Sequence, residues 1–176
     1  MCIRDRPSND QKKIIEIGEI IEKSVPLSNS NKGIVCFASD IPNKNFEFIL
    51  KVLKKINSPE LVTIINPKEK IKDFKCVTTT NNEETMEVLS QNEIYFHASE
   101  FETVGLPLYE AQDLGLKVVA PNNPYTQYFD KDSTFLYKSN DALDAVQTIE
   151  LASSTKTKNI QALDYSENWG KVLSKI

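Results

Sequence analysis

The 176 residues carry 21 Lys and Arg against 25 Asp and Glu, a net charge of −4, with 40% hydrophobic residues, a composition that suits one globular domain with a sizeable core. This balance leaves no basic footprint for nucleic acid. No run of about 18 apolar residues and no signal-peptide pattern occurs, so the sequence predicts a cytoplasmic protein whose own chain crosses no membrane.

Met1-Cys-Ile-Arg-Asp-Arg6 is what the transposase adapter ATGTGTATAAGAGACAG encodes. Residues 1–6 are therefore expected to be a sequencing-adapter scar and are set aside, which implies that the true beginning of the gene product is missing. Residues 7–32 hold a helix and a linker. Ile14, Ile15, Ile17, Ile20 and Ile21 give Gln11–Lys23 an amphipathic helical pattern, and Val25–Gly33 is rich in Ser, Asn and Pro. From residue 33 strand-like and helix-like runs alternate. Strands are predicted at Ile34–Ala38, Leu61–Ile65, Phe74–Thr78, Glu93–His97, Lys117–Ala120 and Thr134–Tyr137. Helices are predicted at Asn45–Ile56, Glu83–Ser90, Leu106–Leu114, Ala142–Ala152 and Glu167–Ser174. This grammar implies βαβ crossovers and an α/β, Rossmann-like, doubly wound parallel sheet. The connection Pro67–Asp73 is too short for a helix of its own, and with only 5 glycines several turns must use Asn, Asp or Ser. Cys36 and Cys76 fall in strand-like runs and no C-x-x-C pair exists, so they read as buried, reduced thiols.

The densest chemistry lies in Ser99-Glu-Phe-Glu-Thr-Val-Gly-Leu-Pro-Leu-Tyr-Glu-Ala111. Glu102 and Glu110 flank a Gly-Leu-Pro turn that follows a strand and opens a helix, which points a ligand site at the C-terminal edge of a parallel sheet. Pro107 suits a first helical turn. The backbone amides of Gly105 and Leu106 lie at the positive end of the helix dipole and favour an anion. Carboxylates and anion-seeking amides at one spot imply a ligand both hydroxylated and phosphorylated, as a nucleotide sugar is.

Ala98-Ser-Glu-Phe-Glu-Thr-Val-Gly-Leu-Pro-Leu-Tyr-Glu-Ala111, followed by Gly115-Leu-Lys-Val-Val-Ala-Pro121, resembles the carboxylate-pair motif of retaining glycosyltransferases with a GT-B fold, glycosyltransferase family four and its relatives. The resemblance spans about Lys32 to the C-terminus. It implies that residues 33–176 are the C-terminal, donor-binding domain, the second half of a GT-B fold whose N-terminal acceptor domain is missing. It further implies that Glu102 is the catalytic carboxylate, contacting the transferred sugar and supporting oxocarbenium-like charge, and that Glu110 accepts hydrogen bonds from the nucleotide ribose. Ala38-Ser-Asp-Ile-Pro-Asn-Lys-Asn45 matches the diphosphate-gripping loop at Lys44, but Ser39 stands where the family has Arg and Ala38 where it has Gly. A hydroxyl does not replace a bidentate guanidinium. Thr79, at the end of the third strand beside Thr78 and Thr80, is assigned to the donor site with Ser39, Lys44, Gly105, Leu106 and Glu110. The implied reaction transfers a sugar from a nucleoside diphosphate to a glycan or lipid acceptor, with retention, no cofactor and no metal. Lys44 and the helix amides would stabilise the leaving diphosphate. The complete enzyme is compatible with peripheral membrane association, and this fragment alone is expected to transfer nothing.

Asp130-Lys-Asp132 has the Asp-x-Asp form of a metal site, but it lies in a turn and is read as structural. His97 is the sole histidine and reads first as a satisfied strand-end imidazole, second as a donor contact. Trp169 reads as a core or interface residue. The competing function is a non-catalytic nucleotide-sugar-binding or interaction module, favoured by Ser39, Ala38 and the clipped second connection. A dinucleotide enzyme fails for want of G-x-G-x-x-G after the first strand.

Overall fold

The computed structural model describes residues 33–39 and 41–156. The predicted helices at Gln11–Lys23 and Glu167–Ser174, the residue 1–6 segment and Trp169 lie outside the described residues. Six strands form one sheet: β1 Ile34–Phe37, β2 Val62–Ile65, β3 Lys75–Val77, β4 Ile94–Phe96, β5 Lys117–Pro121 and β6 Thr134–Tyr137. Every pairing is parallel, in the order β3-β2-β1-β4-β5-β6. The helices are α1 Phe46–Leu53, α2 Asn82–Ser90, α3 Leu106–Asp113 and α4 Ala142–Ser154.

A parallel sheet buried on both faces needs strands that are apolar on both sides, and Val62, Ile64 and Ile65 on β2 and Val118, Val119 and Ala120 on β5 are buried in full. Alternate residues then sort into two cores. Ile34, Cys36, Ile64 and Phe96 pack under α1 and α4. Val35, Ile65, Tyr95 and Val118 pack under α2 and α3. The helix stripe Phe48, Ile49, Val52 and Leu53 has the 3.6-residue spacing that burying one face of α1 requires. The doubly wound, Rossmann-like fold is therefore present.

The direction of winding reverses between β1 and β4, whose carboxyl ends open onto the crevice where ligands of such sheets bind. Helix ends differ accordingly. Asn81 caps α2 by accepting from Glu84 N, and Asp141 caps α4 by accepting from Leu143 N and Asp144 N. Asn45 and Gly105, which open α1 and α3 directly after β1 and β4, are both left-handed and offer no side-chain cap. The two helix starts beside the reversal thus keep their first-turn amides clear of a capping side chain.

The differences from the predicted boundaries are local. Strand β3 shrinks to three residues, and α1 stops at Leu53 because Lys54–Lys55 turn the chain out of the helix. The Pro67–Asp73 connection forms bends and turns without a helix. Cys76 is only half-buried, whereas Cys36 is enclosed and both thiols are free. The predicted burial holds fully only for Cys36, because Cys76 sits on the short edge strand β3. No described helix is long and apolar enough to cross a membrane.

Candidate functional site

Two loops meet at the winding reversal. The first runs from β1 through the 3-10 turn Pro42–Lys44. The second runs from β4 to the start of α3. They are stitched by the backbone: Glu100 N donates to Asn43 O at 3.1 Å, and Asn43 Nδ2 donates to Phe101 O at 3.1 Å. This stitching carries Lys44 to Glu102, and Lys44 Nζ donates to Glu102 Oε1 at 2.5 Å. The side chains are 19% and 11% exposed, so the pair is partly desolvated and sits at the mouth of the crevice.

His97 continues β4 inward from this pair. Its Nε2 lies 3.6 Å from Glu102 Oε1, and its Nδ1 is 2.9 Å from Tyr95 Oη. The ring is 2% exposed. Burial lowers its pKa to about 3, against the opposing pull of Glu102, and Lys44 lowers it further, so the imidazole is neutral at pH 7. Glu102 feels burial first, which pushes its carboxyl up, but Lys44 and Ser99, with the charges nearby, bring it below the ordinary value. Ser99 Oγ itself closes no hydrogen bond, so Lys44 is the partner that carries this lowering. Tyr125 Oη donates to Ser99 O, and its ring meets the His97 ring edge-on at 6.0 Å.

Glu110 lies one turn into α3 on the same side of the sheet, half-buried, and burial raises its carboxyl above the ordinary value. Glu102 and Glu110 both add to the burial that pushes the Tyr95 hydroxyl well up, so both carboxylates act on one buried spot. Gly105 has φ +72°, and a Cβ there would meet Leu108 Cδ1 at 3.0 Å and Phe129 Cζ at 3.3 Å. Glycine is thus required by both backbone and space. Leu106 follows as the first residue of α3.

Ser39 is half-buried just beyond β1, in the loop where it was expected. One assigned residue is placed differently. Thr79 sits beyond the edge strand β3 and is engaged there: Asn66 Nδ2 and Thr85 Oγ1 both donate to its Oγ1, at 3.1 and 2.9 Å, and its N–H donates to Asn66 Oδ1 at 2.8 Å. It braces the left-handed turn at Asn66, two strands away from Lys44. Asp130 likewise has local work, accepting from Ser133 N at 3.0 Å and Ser133 Oγ at 2.6 Å. Among the described residues no cluster of three or more His, Cys, Asp or Glu could hold a metal ion.

Sequence reasoning missed Tyr95, Asn43 and Tyr125. Tyr95 was accessible, because residues two apart in a strand share a face and Tyr95 therefore had to lie beside His97. The stitching by Asn43 and the contact of Tyr125 join segments distant in sequence and had no local signal.

A family model for glycosyl transferases group 1 matches residues 19–170. The chain belongs to that family. Among solved structures, this group 1 chain resembles the catalytic domain of starch synthase IV from Arabidopsis thaliana bound to ADP and acarbose, with TM-score 0.65 and 12% identity over 94% of this chain and 40% of that one. It also resembles TarM, with TM-score 0.59 and 19% identity over 74% and 30%. A third neighbour is the pneumococcal O-GlcNAc transferase GtfA in complex with UDP and GlcNAc, with TM-score 0.59 and 16% identity over 96% and 44%. At such identities the likeness shows a shared fold. The group 1 chain spans less than half the length of these three structures. No curated protein matches it.

Proposed function

We propose that this chain holds the donor site of a retaining, metal-independent glycosyltransferase of family four, as the C-terminal half of a two-domain GT-B enzyme. Its donor is a nucleoside-diphosphate sugar. The other half binds a glycan or lipid acceptor. The observation that carries this reading is the Lys44–Glu102 pair astride the winding reversal, with the uncapped starts of α1 and α3 beside it. An ammonium and two sets of open amides suit a diphosphate. Lys44 would leave Glu102 for the diphosphate, and Glu102 would turn to the sugar hydroxyls and the positive charge that develops as the glycosidic bond breaks. Glu110, half-buried one turn into α3, would accept from the ribose hydroxyls. The leaving diphosphate is then stabilised by fixed protein dipoles and one lysine. The neighbours described with UDP and with ADP support a nucleotide in this kind of crevice.

Calorimetric titration of the chain with UDP, GDP and ADP, in chelator, tests the reading. One of the nucleotides is expected to bind, and Lys44→Ala or Glu110→Ala should each weaken it by roughly tenfold, the worth of a hydrogen bond to a charged group. No binding without a divalent cation would contradict it.

The closeness of the Lys44–Glu102 pair favours a second reading, a binding module in which Glu102 serves only to hold Lys44. Joined to an acceptor half, such a protein would bind the nucleotide and transfer nothing with or without Glu102→Gln, whereas a catalytic Glu102 predicts transfer in the wild type and its loss in the variant.

A further inference from the structure

Among the described residues, His97 Nε2 is a fully enclosed nitrogen with no hydrogen-bond partner. It faces Glu102 Oε1 at 3.6 Å, just beyond bonding range. The other ring nitrogen fixes what Nε2 carries. Tyr95 Oη lies 2.9 Å from Nδ1, and burial keeps that phenol protonated, so it has one proton to give. If Tyr95 donates to Nδ1, the single ring proton of the neutral imidazole resides on Nε2 and points at the carboxylate. The opposite tautomer would aim a lone pair at Glu102, which is repulsive.

We propose that His97 is a positioning residue for Glu102: Tyr95 holds the imidazole in its Nε2–H form, and that N–H takes over Glu102 Oε1 when Lys44 leaves it for an anionic ligand. The inference rests on the donor-site reading above. Lys44 has one ammonium, and its turn toward a diphosphate removes the main partner of a carboxylate that is 11% exposed. A buried charge stripped of its partner is costly. The Nε2–H needs to close by less than about 1 Å to reach ordinary bonding distance. No proton changes owner and no covalent bond is altered; one hydrogen bond replaces another. The 3.6 Å gap between Nε2 and Glu102 Oε1 goes with Lys44 holding that same oxygen at 2.5 Å.

The test uses the full 176-residue chain. With one histidine in the sequence, ¹⁵N-histidine labelling reports on His97 alone, and inorganic pyrophosphate is the probe. The free protein is expected to show a protonated Nε2 and an accepting Nδ1. Pyrophosphate should then shift the Nε2–H signal toward a stronger hydrogen bond and leave Nδ1 unmoved. His97→Phe, which keeps a ring without a donor, should weaken pyrophosphate binding about tenfold, the loss of one hydrogen bond to a charge, and His97→Gln, which restores an N–H, should recover most of it. An Nδ1–H tautomer in the free protein overturns the inference. Pyrophosphate binding with a silent Nε2 overturns the hand-over while leaving the anion site intact. A correct tautomer with no pyrophosphate binding overturns the donor-site reading, and the inference with it.

Discussion

Replacing Lys44 with Met leaves the volume roughly in place and removes the charge, and the structure states what should follow. Glu102 Oε1 loses a donor at 2.5 Å, in a pair whose members are 19% and 11% exposed. A hydrogen bond to a charged group contributes about 1.5–3 kcal/mol, and partial exposure places the expected loss near 2 kcal/mol at pH 7. The pH dependence is the sharper readout. In the wild type the folded Glu102 carboxyl lies below its ordinary value of 4.5. Its stabilisation is therefore complete above that value and fades as the pH falls through the lower folded one. In Lys44→Met, burial remains while the chief lowering influence is gone, so the folded carboxyl moves up from its wild-type position. The folded variant then holds this proton more tightly than the folded wild type does, so the stability that ionised Glu102 contributes in the wild type is reduced as the pH rises through that window. His97 is common to both proteins and largely cancels in the difference. Urea unfolding followed by circular dichroism at intervals from pH 4 to pH 7 should show the two curves diverging upward. At about 2 kcal/mol per molar of urea, the midpoint gap reaches roughly 1 M at pH 7. Parallel curves with equal midpoints would refute the coupling of Lys44 to Glu102.

Gly105→Ala combines a left-handed φ of +72° with a contact of 3.0 Å to Leu108 Cδ1; the backbone strain alone is worth about 1–2 kcal/mol, so thermal unfolding should fall by several degrees, and an unchanged midpoint would contradict the glycine assignment. Glu110→Gln removes a carboxyl that burial already pushes up, so stability should hold or rise slightly while nucleotide affinity drops, a divergence to be read by calorimetry beside a thermal melt. Lys117 Nζ donates to Glu93 Oε1 at 2.6 Å and Ala152 O at 2.8 Å at the amino end of β5. Lys117→Ala should cost about 2–4 kcal/mol in urea unfolding yet leave nucleotide binding unaltered, since it lies at the opposite end of the sheet from the loops.

The sheet was legible because its signals are local. All six predicted strands were found with boundaries within a residue, and Thr134–Tyr137 was matched outright, since buried β-branched runs bounded by turn residues identify themselves. The Pro67–Asp73 connection was too short to hide a helix. Glu102, Gly105 and Glu110 were readable as a group because one loop and one helical turn hold them. The partnership of Lys44 with Glu102 was not, since it depends on how Asn43 and Phe101 align two loops 58 residues apart. Thr79 shared a rim with the other residues but not a neighbourhood: a position at the end of a strand gives height along the sheet and nothing about distance across it. His97 was half anticipated. Its Nδ1 is satisfied, and its Nε2 is not.

The sheet joins two sequential units, β1 to β3 and β4 to β6, along a single line where Ile34 stands opposite Ile94 and Val35 opposite Tyr95. The residues paired along this line lie far apart in sequence, the kind of non-local pairing that slows folding. Lys44 and Glu102 come from opposite sides of that line, so their contact bridges the halves. A ligand gripping both would act as a clasp across the join. Because it binds the joined state alone, it would stabilise the fold in proportion to the logarithm of its concentration.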